Sequence, residues 1–369
     1  MLTKGDDYPL HQTPEPILYA GSDRRFYERY FFNGYSKDLD LFFASGMGIY
    51  PGANLVDASF CVTHEGVQHN VHASRVLDFE RMDMRVGPIR LEIVEPLETL
   101  RFHVEDAEHG IRADLTFRAR VRAFEEPRQV MRQGGRTLMD CTRLTQHGAY
   151  SGWIEIKGKR IEIRPERCLG TRDRSWGVRM LGAQDAQPII PAYEFQIYFL
   201  WAQLNFEDLG VSCSTFEDAQ GKTWMSHAVL LPVGSGEPVT AASTRIRQRF
   251  RSGTRHATNA VLEMLCEGDR RVEILLEFQP LQFYMMGLGY FHPEWGHGVY
   301  KGPSAVGYEA LELADIDESA FQFNHVEACC RARMHDSDGT VREGVGIMEQ
   351  LIFGPHAPSG FKDLLDVAT

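Results

Sequence analysis

No run of about 18 consecutive apolar residues occurs in the chain, so nothing in the sequence reads as a bilayer-spanning helix. The opening stretch, residues 1–18, is polar and holds three prolines, without the hydrophobic core of a secretory signal. No Asn-x-Ser/Thr sequon is present. Cysteine is sparse and scattered: Cys61, Cys141, Cys168, Cys213, Cys266, Cys329 and Cys330 are odd in number and never spaced C-x-x-C. That usage predicts reduced, buried thiols in a cytoplasmic protein. Positive charge is in deficit, with 39 Lys plus Arg against 51 Asp plus Glu and a net charge of −12. Such a chain has no cationic face with which to neutralise nucleic-acid phosphates or adhere to anionic lipid. Phosphate-loop and nucleophile-elbow motifs are missing, and Gly46-x-Gly48-x-x-x-Gly52 misses the dinucleotide spacing. Helical periodicity is nearly absent as well. Only residues 23–31 and the tail after Gly360 read as short helices.

What remains is alternation of period two. Ile111, Ala113, Leu115, Phe117, Ala119 and Val121 interleave with Arg112, Asp114, Thr116, Arg118, Arg120 and Arg122. That pattern fits a strand with one dry and one wet face. Similar runs occupy 89–94, 100–104, 195–201, 211–216, 224–231, 245–250, 272–278 and 326–334. Turn sequences at 157–159, 218–221 and 336–339 mark antiparallel hairpins. Many long strands without intervening helices predict an all-β protein, and half-wet strands of this length close most naturally into barrels. With 369 residues, 43% of them apolar, there is material for two barrel-like units, 1–155 and 156–369, meeting between residues 145 and 175.

Two histidine groups invite a metal test. Of His64, His69 and His72, only the first and last share a strand face, and His292, Glu294 and His297 lack a further ligand at a diagnostic spacing. Spacing therefore predicts no metal, and no cofactor is expected. Two other segments concentrate costly residue types. Residues 170–179 place Asp173, Trp176 and three arginines (Arg172, Arg174, Arg179) together, either as a charged site or as a structural crossing between units. If the arginines pair with Asp173, its carboxyl is an anion and Asp173→Asn should cost stability. Residues 285–300 interleave glycines with Tyr290, Phe291, Trp295 and Tyr300 around His292, Glu294 and His297, a composition that lines small-molecule pockets. Tyr193, Tyr198 and Trp201 add an aromatic strand, and His325 and Glu349 sit on strand-like runs.

The stretch from Gly170 to Arg179 resembles the Asp-His-Ser-Trp-Gly block of the carotenoid hydratase (hydroxyneurosporene synthase) and AttH-like group, with Arg174 in place of the His. Ser151-Gly152-Trp153, residues 201–210 and residues 344–350 follow that group's order and approximate spacing across most of 25–355. The resemblance implies two lipocalin-like barrels side by side and an apolar, often isoprenoid or polyketide, ligand. Acid-catalysed alkene hydration and cycloaddition are chemistries found across the group. Any acid/base role of the family's His cannot be carried over to Arg174.

These readings converge on an enzyme acting on a hydrophobic, alkene-bearing small molecule such as a terpenoid. Protonating an alkene requires a carboxylic acid kept neutral by a dry site, with aromatic faces around the resulting cation. Asp173 or Glu294 would supply the acid and His292 or His297 the base. Trp176, Tyr193, Tyr198, Trp201, Tyr290, Trp295, Tyr300 and His325 would contact substrate. A non-catalytic carrier or sensor with the same walls is the alternative, separated from an enzyme by whether ionisable groups converge on the pocket. A hydrophobic small molecule is the expected partner, without nucleic acid or stable membrane insertion, and a homodimer is compatible with the sequence.

Overall fold

The computed structural model describes residues 1–133, 135–182 and 195–369. The first strands are β1 (Phe26–Ser36), β2 (Leu41–Tyr50), β3 (Leu55–His64), β4 (Val67–Val76), β5 (Arg85–Val86), β6 (Ile89–Glu95) and β7 (Thr99–Asp106). They continue with β8 (Ile111–Ala119), β9 (Phe124–Glu125), β10 (Gln129–Gln133), β11 (Arg136–Ile156), β12 (Lys159–Ile163), β13 (Cys168–Val178), β14 (Ile197–Asn205) and β15 (Leu209–Glu217). The last are β16 (Thr223–Pro232), β17 (Val239–Phe250), β18 (Ala257–Cys266), β19 (Arg271–Tyr284), β20 (Ser304–Glu312), β21 (His325–Asp336) and β22 (Val341–Phe353). Every helical element among the described residues is a 3₁₀ turn of three or four residues. The all-β class follows. No helix among the described residues is long and apolar enough to cross a membrane.

Strands β14–β19, β21 and β22 close into an eight-stranded antiparallel barrel. The other fourteen form one large sheet whose main path runs β20-β4-β3-β2-β1-β13-β11-β8-β7-β6-β5. This sheet curls round its own core, from Phe32 and Phe43 through Phe60 to Phe102, Phe117 and Ile154. Its two ends approach one another at the β5–β6 turn, where a Cβ on Gly87 would stand 3.0 Å from Val306 of β20. The expected unit boundary at residue 155 falls inside this sheet, since β12 and β13 lie beyond it and pair with β11 and β1. The anticipated hairpin at 157–159 is present, with Lys157 and Gly158 both at positive φ as a two-residue turn demands.

Both expected helices are absent. Residues 26–31 open β1, which lies between β2 and β13. Its apolar residues populate two faces because both are covered: Tyr30 and Phe32 point into the sheet's own core, Phe31 and Tyr35 towards the barrel. The tail after Gly360 bridges back to His356 at Phe361 and bends over residues 363–365, and the Arg255 guanidinium takes the carbonyls of Asp363 (2.9 Å), Asp366 (2.5 Å) and, before the tail, Gly354 (3.0 Å).

Sheet and barrel meet face to face. The odd-numbered face of β1 and β13 packs on β14, β21 and β22 through Phe31, Tyr35, Leu169, Trp201, Cys329 and Ile347. All seven cysteines are buried and free. Cys329 and Cys330 point to opposite strand faces as anticipated, one into this seam and one into the barrel core. Between β19 and β21 the chain leaves the barrel, crosses the sheet over residues 285–303, and adds β20 to β4 with Gly307 opposite His72. Gly307 is required there, because a Cβ would stand 2.3 Å from the Trp295 indole. Gly307→Ala should therefore cost about 1–3 kcal/mol by overpacking. Urea unfolding measures it, and an unchanged midpoint would show that Trp295 does not rest on β20.

Candidate active site

The seam buries polar groups that the alternation alone would have left in water. Asn33 of β1 donates its amide to both carboxyl oxygens of Glu327 on β21, at 3.1 Å each, while its own oxygen accepts the Thr171 N–H at 2.9 Å. Glu327 is fully buried. Burial above all, then the neighbouring charge of Glu349, raises its pKa far above the ordinary range and favours the neutral acid form. Beside it, Glu349 of β22 sits 2.6 Å from Nε2 of the wholly buried His325. Asp173, from β13, completes a group of three carboxyls within one another's field. Burial pushes its pKa up to about 6, against the pull of Arg143, 3.8 Å away, and of Arg29.

The expected arginine pairing of Asp173 is thus largely absent. Arg172 and Arg174 are its neighbours in sequence and so point to the other sheet face, towards Gln146 and Glu28. Arg143 instead divides itself between Asp173 and Glu126, 3.6 Å away. Burial opposes the charge of Glu126, but Arg143, His227 and hydrogen bonds from Thr145 (2.6 Å) and the Trp201 indole (2.9 Å) outweigh it and hold the group ionised. Two carboxyls are therefore shifted towards the acid form and one towards the anion within a single buried layer.

The 285–300 loop closes one end of the seam. The Tyr290 ring lies edge-on to His325 (4.6 Å) and His297 (4.5 Å), under the Arg29 guanidinium. His297 donates from Nε2 to the Leu288 carbonyl (2.7 Å) and accepts from Arg179 at Nδ1 (2.7 Å). Burial and the two arginines push its pKa well below normal, so it is a neutral ring that holds Arg179, while Arg29 donates to the same Leu288 carbonyl at 3.3 Å. At the other end, a groove of about 330 Å³ lies between β10, β11 and the barrel, lined by Val130, Met131, Leu138, Ile197, Phe216 and Trp224. That volume lies in the range of small-molecule sites. Phe216 belongs to both groove and seam and stacks on Phe199 at 4.3 Å.

Of the residues singled out in the sequence, Asp173, Trp201, Tyr290, His297, His325 and Glu349 come together at the seam. Glu294 does not: its side chain is 74% exposed and faces Lys301 at 3.8 Å, outside the seam. Tyr300 is exposed and Trp176 lies at the surface near Arg174, whereas Tyr198, stacked on His356, borders the groove rather than the acid–base layer. Trp295 and His292 lie beside β4 and β20 instead. Tyr193 falls outside the described residues. Asn33, Glu126, Arg143 and Glu327 escaped the sequence reading. The one signal available for Glu327 was its parity with Cys329 in a run whose other residues of that parity, Arg331 and Arg333, are exposed.

Fold and site together define an all-β protein whose buried acid and base groups lie between a closed barrel and a curled sheet. The chain belongs to a family of unknown function (DUF8625), whose sequence model matches residues 2–362. No curated protein sequence matches it. Among solved structures it is similar to an AttH-like protein of Nitrosomonas europaea, with 13% identity, a TM-score of 0.52, and 93% of this chain and 98% of the other covered. Kievitone hydratase from Nectria haematococca shares 11% identity at a TM-score of 0.47 over 88% of each chain. At 13% identity the likeness to the Nitrosomonas europaea structure bears on the fold and not on the chemistry.

The shifted Asp173 has a consequence for stability. Its proton is held more tightly folded than unfolded, so stability falls as pH rises from about 4 to 6, and above 6 the cost of burying the anion is borne in full. Asp173→Asn should gain on the wild type between pH 4 and 8, by on the order of 2–3 kcal/mol. Denaturant unfolding at both pH values checks this. A difference that does not change with pH would mean that Asp173 is an ordinary ionised carboxylate.

Proposed function

We propose that this chain is an acid–base enzyme that protonates an alkene of a hydrophobic, terpenoid-like small molecule, leading to hydration, dehydration, isomerisation or cyclisation. The observation that carries the reading is the convergence of Asp173, Glu327 and the Glu349–His325 pair in one buried layer, with two carboxyls shifted towards the acid form. A non-catalytic carrier needs no such groups.

In this reading Asp173 is the proton donor: its side chain is 13% exposed, and a pKa of about 6 is near the operating pH, where proton transfer in both directions is efficient. Glu349, backed by His325, is the base that activates water or removes a proton from the carbocation. Glu327 remains neutral and keeps a third negative charge out of the layer, fixed by Asn33. The groove beside Phe216 takes the apolar body of the substrate.

Solvent deuterium tests the reading. Protein in D₂O with geraniol, farnesol or squalene should transfer deuterium to carbon, read by mass spectrometry. Uptake should fall about 100-fold or more in Asp173→Asn and Glu349→Gln, and not in the surface variant Lys222→Ala. A ligand that binds and is recovered unaltered from the wild type would make the chain a carrier.

A further inference from the structure

Two histidines from distant segments meet on the face of β4 that the 285–303 crossing covers, with Trp295 stacked on one of them. His72 and the loop residue His292 both direct Nε2 at Oε1 of Glu309 on β20, each at 3.3 Å. All three donor atoms lie within 4.8 Å of one another. The imidazoles are deeply buried, with side chains 2% and 6% exposed, and their rings stand 5.1 Å apart at 71°. His292 Nε2 is a buried polar atom without a hydrogen-bond partner of good geometry. Spacing along the chain points to no metal because the donors are separated by 220 and 17 residues and converge only once β20 has crossed to β4.

We propose that His72, His292 and Glu309 form a binding site for a divalent first-row cation, zinc foremost. Zinc bonds of about 2.0–2.2 Å place tetrahedral donors about 3.4 Å apart, close to the two separations of 3.3 Å found here. The surroundings match what metal-bound imidazole and carboxylate require. His72 Nδ1 stands 3.2 Å from the Ser59 hydroxyl, and Asn70 donates to Glu309 Oε1 at 3.0 Å. Three protein ligands leave a fourth position for water. A small cavity lined by Arg29, Ser59, His72, Ser74, Trp295 and His297 adjoins the site and has room for about one.

Binding requires one rearrangement. His292 Nδ1 accepts the backbone N–H groups of Glu294 and Trp295, both at 2.9 Å, so in the metal-free ring the proton sits on Nε2. A cation at Nε2 displaces that proton to Nδ1, and the turn at 292–295 gives up its two N–H contacts. Pro293 and Glu294 are exposed, which leaves the turn free to move. Trp295 moves with it, and its indole stacks on the His72 ring at 5.4 Å and 10°. Metal binding is thereby coupled to the environment of one tryptophan, and it fastens the 285–303 crossing and β20 to the sheet.

The experiment is a Co²⁺ and Zn²⁺ titration of the full chain after treatment with a chelator. Visible absorption reports four-coordinate cobalt, fluorescence reports Trp295, and thermal unfolding reports the fastening. The expected result is one ion per chain, a fluorescence change that is lost in Trp295→Phe, and a melting temperature raised by zinc. Affinity should fall at least tenfold in Glu309→Gln and in His292→Ala, two changes in different elements, each checked for wild-type circular dichroism. Absence of stoichiometric binding overturns the proposal. So does binding that persists in both variants, which would place the ion on other histidines.

Discussion

The structure depends on a covered wet face. Strands β21 and β22 alternate as barrel strands should, with even residues of β21 such as Cys330, Ala332 and Met334 inside. Their odd residues face water only over part of their length. Arg331 and Arg333 are exposed, whereas His325, Glu327 and Cys329 lie beneath the neighbouring sheet. Polar groups removed from water in this way must be paired, neutralised or put to use. All three outcomes occur in this one layer: Glu126 is paired with Arg143, burial shifts Glu327 towards its neutral form beside Asn33, and Asp173 is poised between its two forms.

That layer also explains which parts of the molecule were legible in the sequence. Period-two alternation located the strands because each has one face in a core, and it fixes a side chain's face irrespective of tertiary packing. It separated Cys329 from Cys330 correctly for the same reason. Whether the second face of a strand meets water or another sheet is a long-range property. Residues 26–31 looked helical because both faces of β1 are apolar, and Glu327 was passed over in a strand that goes on to expose Arg331. The arginines beside Asp173 misled in the opposite sense. Proximity in sequence suggested pairing, while the pleat sends adjacent side chains to opposite faces.

The 285–303 crossing links both halves of the account. Its aromatic composition signalled a wall, and one end does pack Tyr290 against His297 and His325 at the seam. The other end places Trp295 over His72 and Gly307 and brings β20 to the sheet edge. Strand exchange of this kind makes the barrel half contribute a strand to the sheet half, so the two cannot separate without breaking the β4–β20 ladder. A rigid seam is what a site built from buried carboxyls needs, because small displacements would admit water and return the groups to their ordinary ionisation.

The central claim is that the seam keeps a carboxyl group protonated at neutral pH. Infrared spectroscopy reads this directly, since the carbonyl stretch of a neutral carboxylic acid is separate from that of a carboxylate and shifts in D₂O. At pH 8 the wild type should show a protonated-carboxyl band that disappears in Glu327→Gln, a variant that keeps the size and neutrality of the side chain. A spectrum with every carboxyl ionised at pH 8, or a band that survives the substitution, would contradict the account.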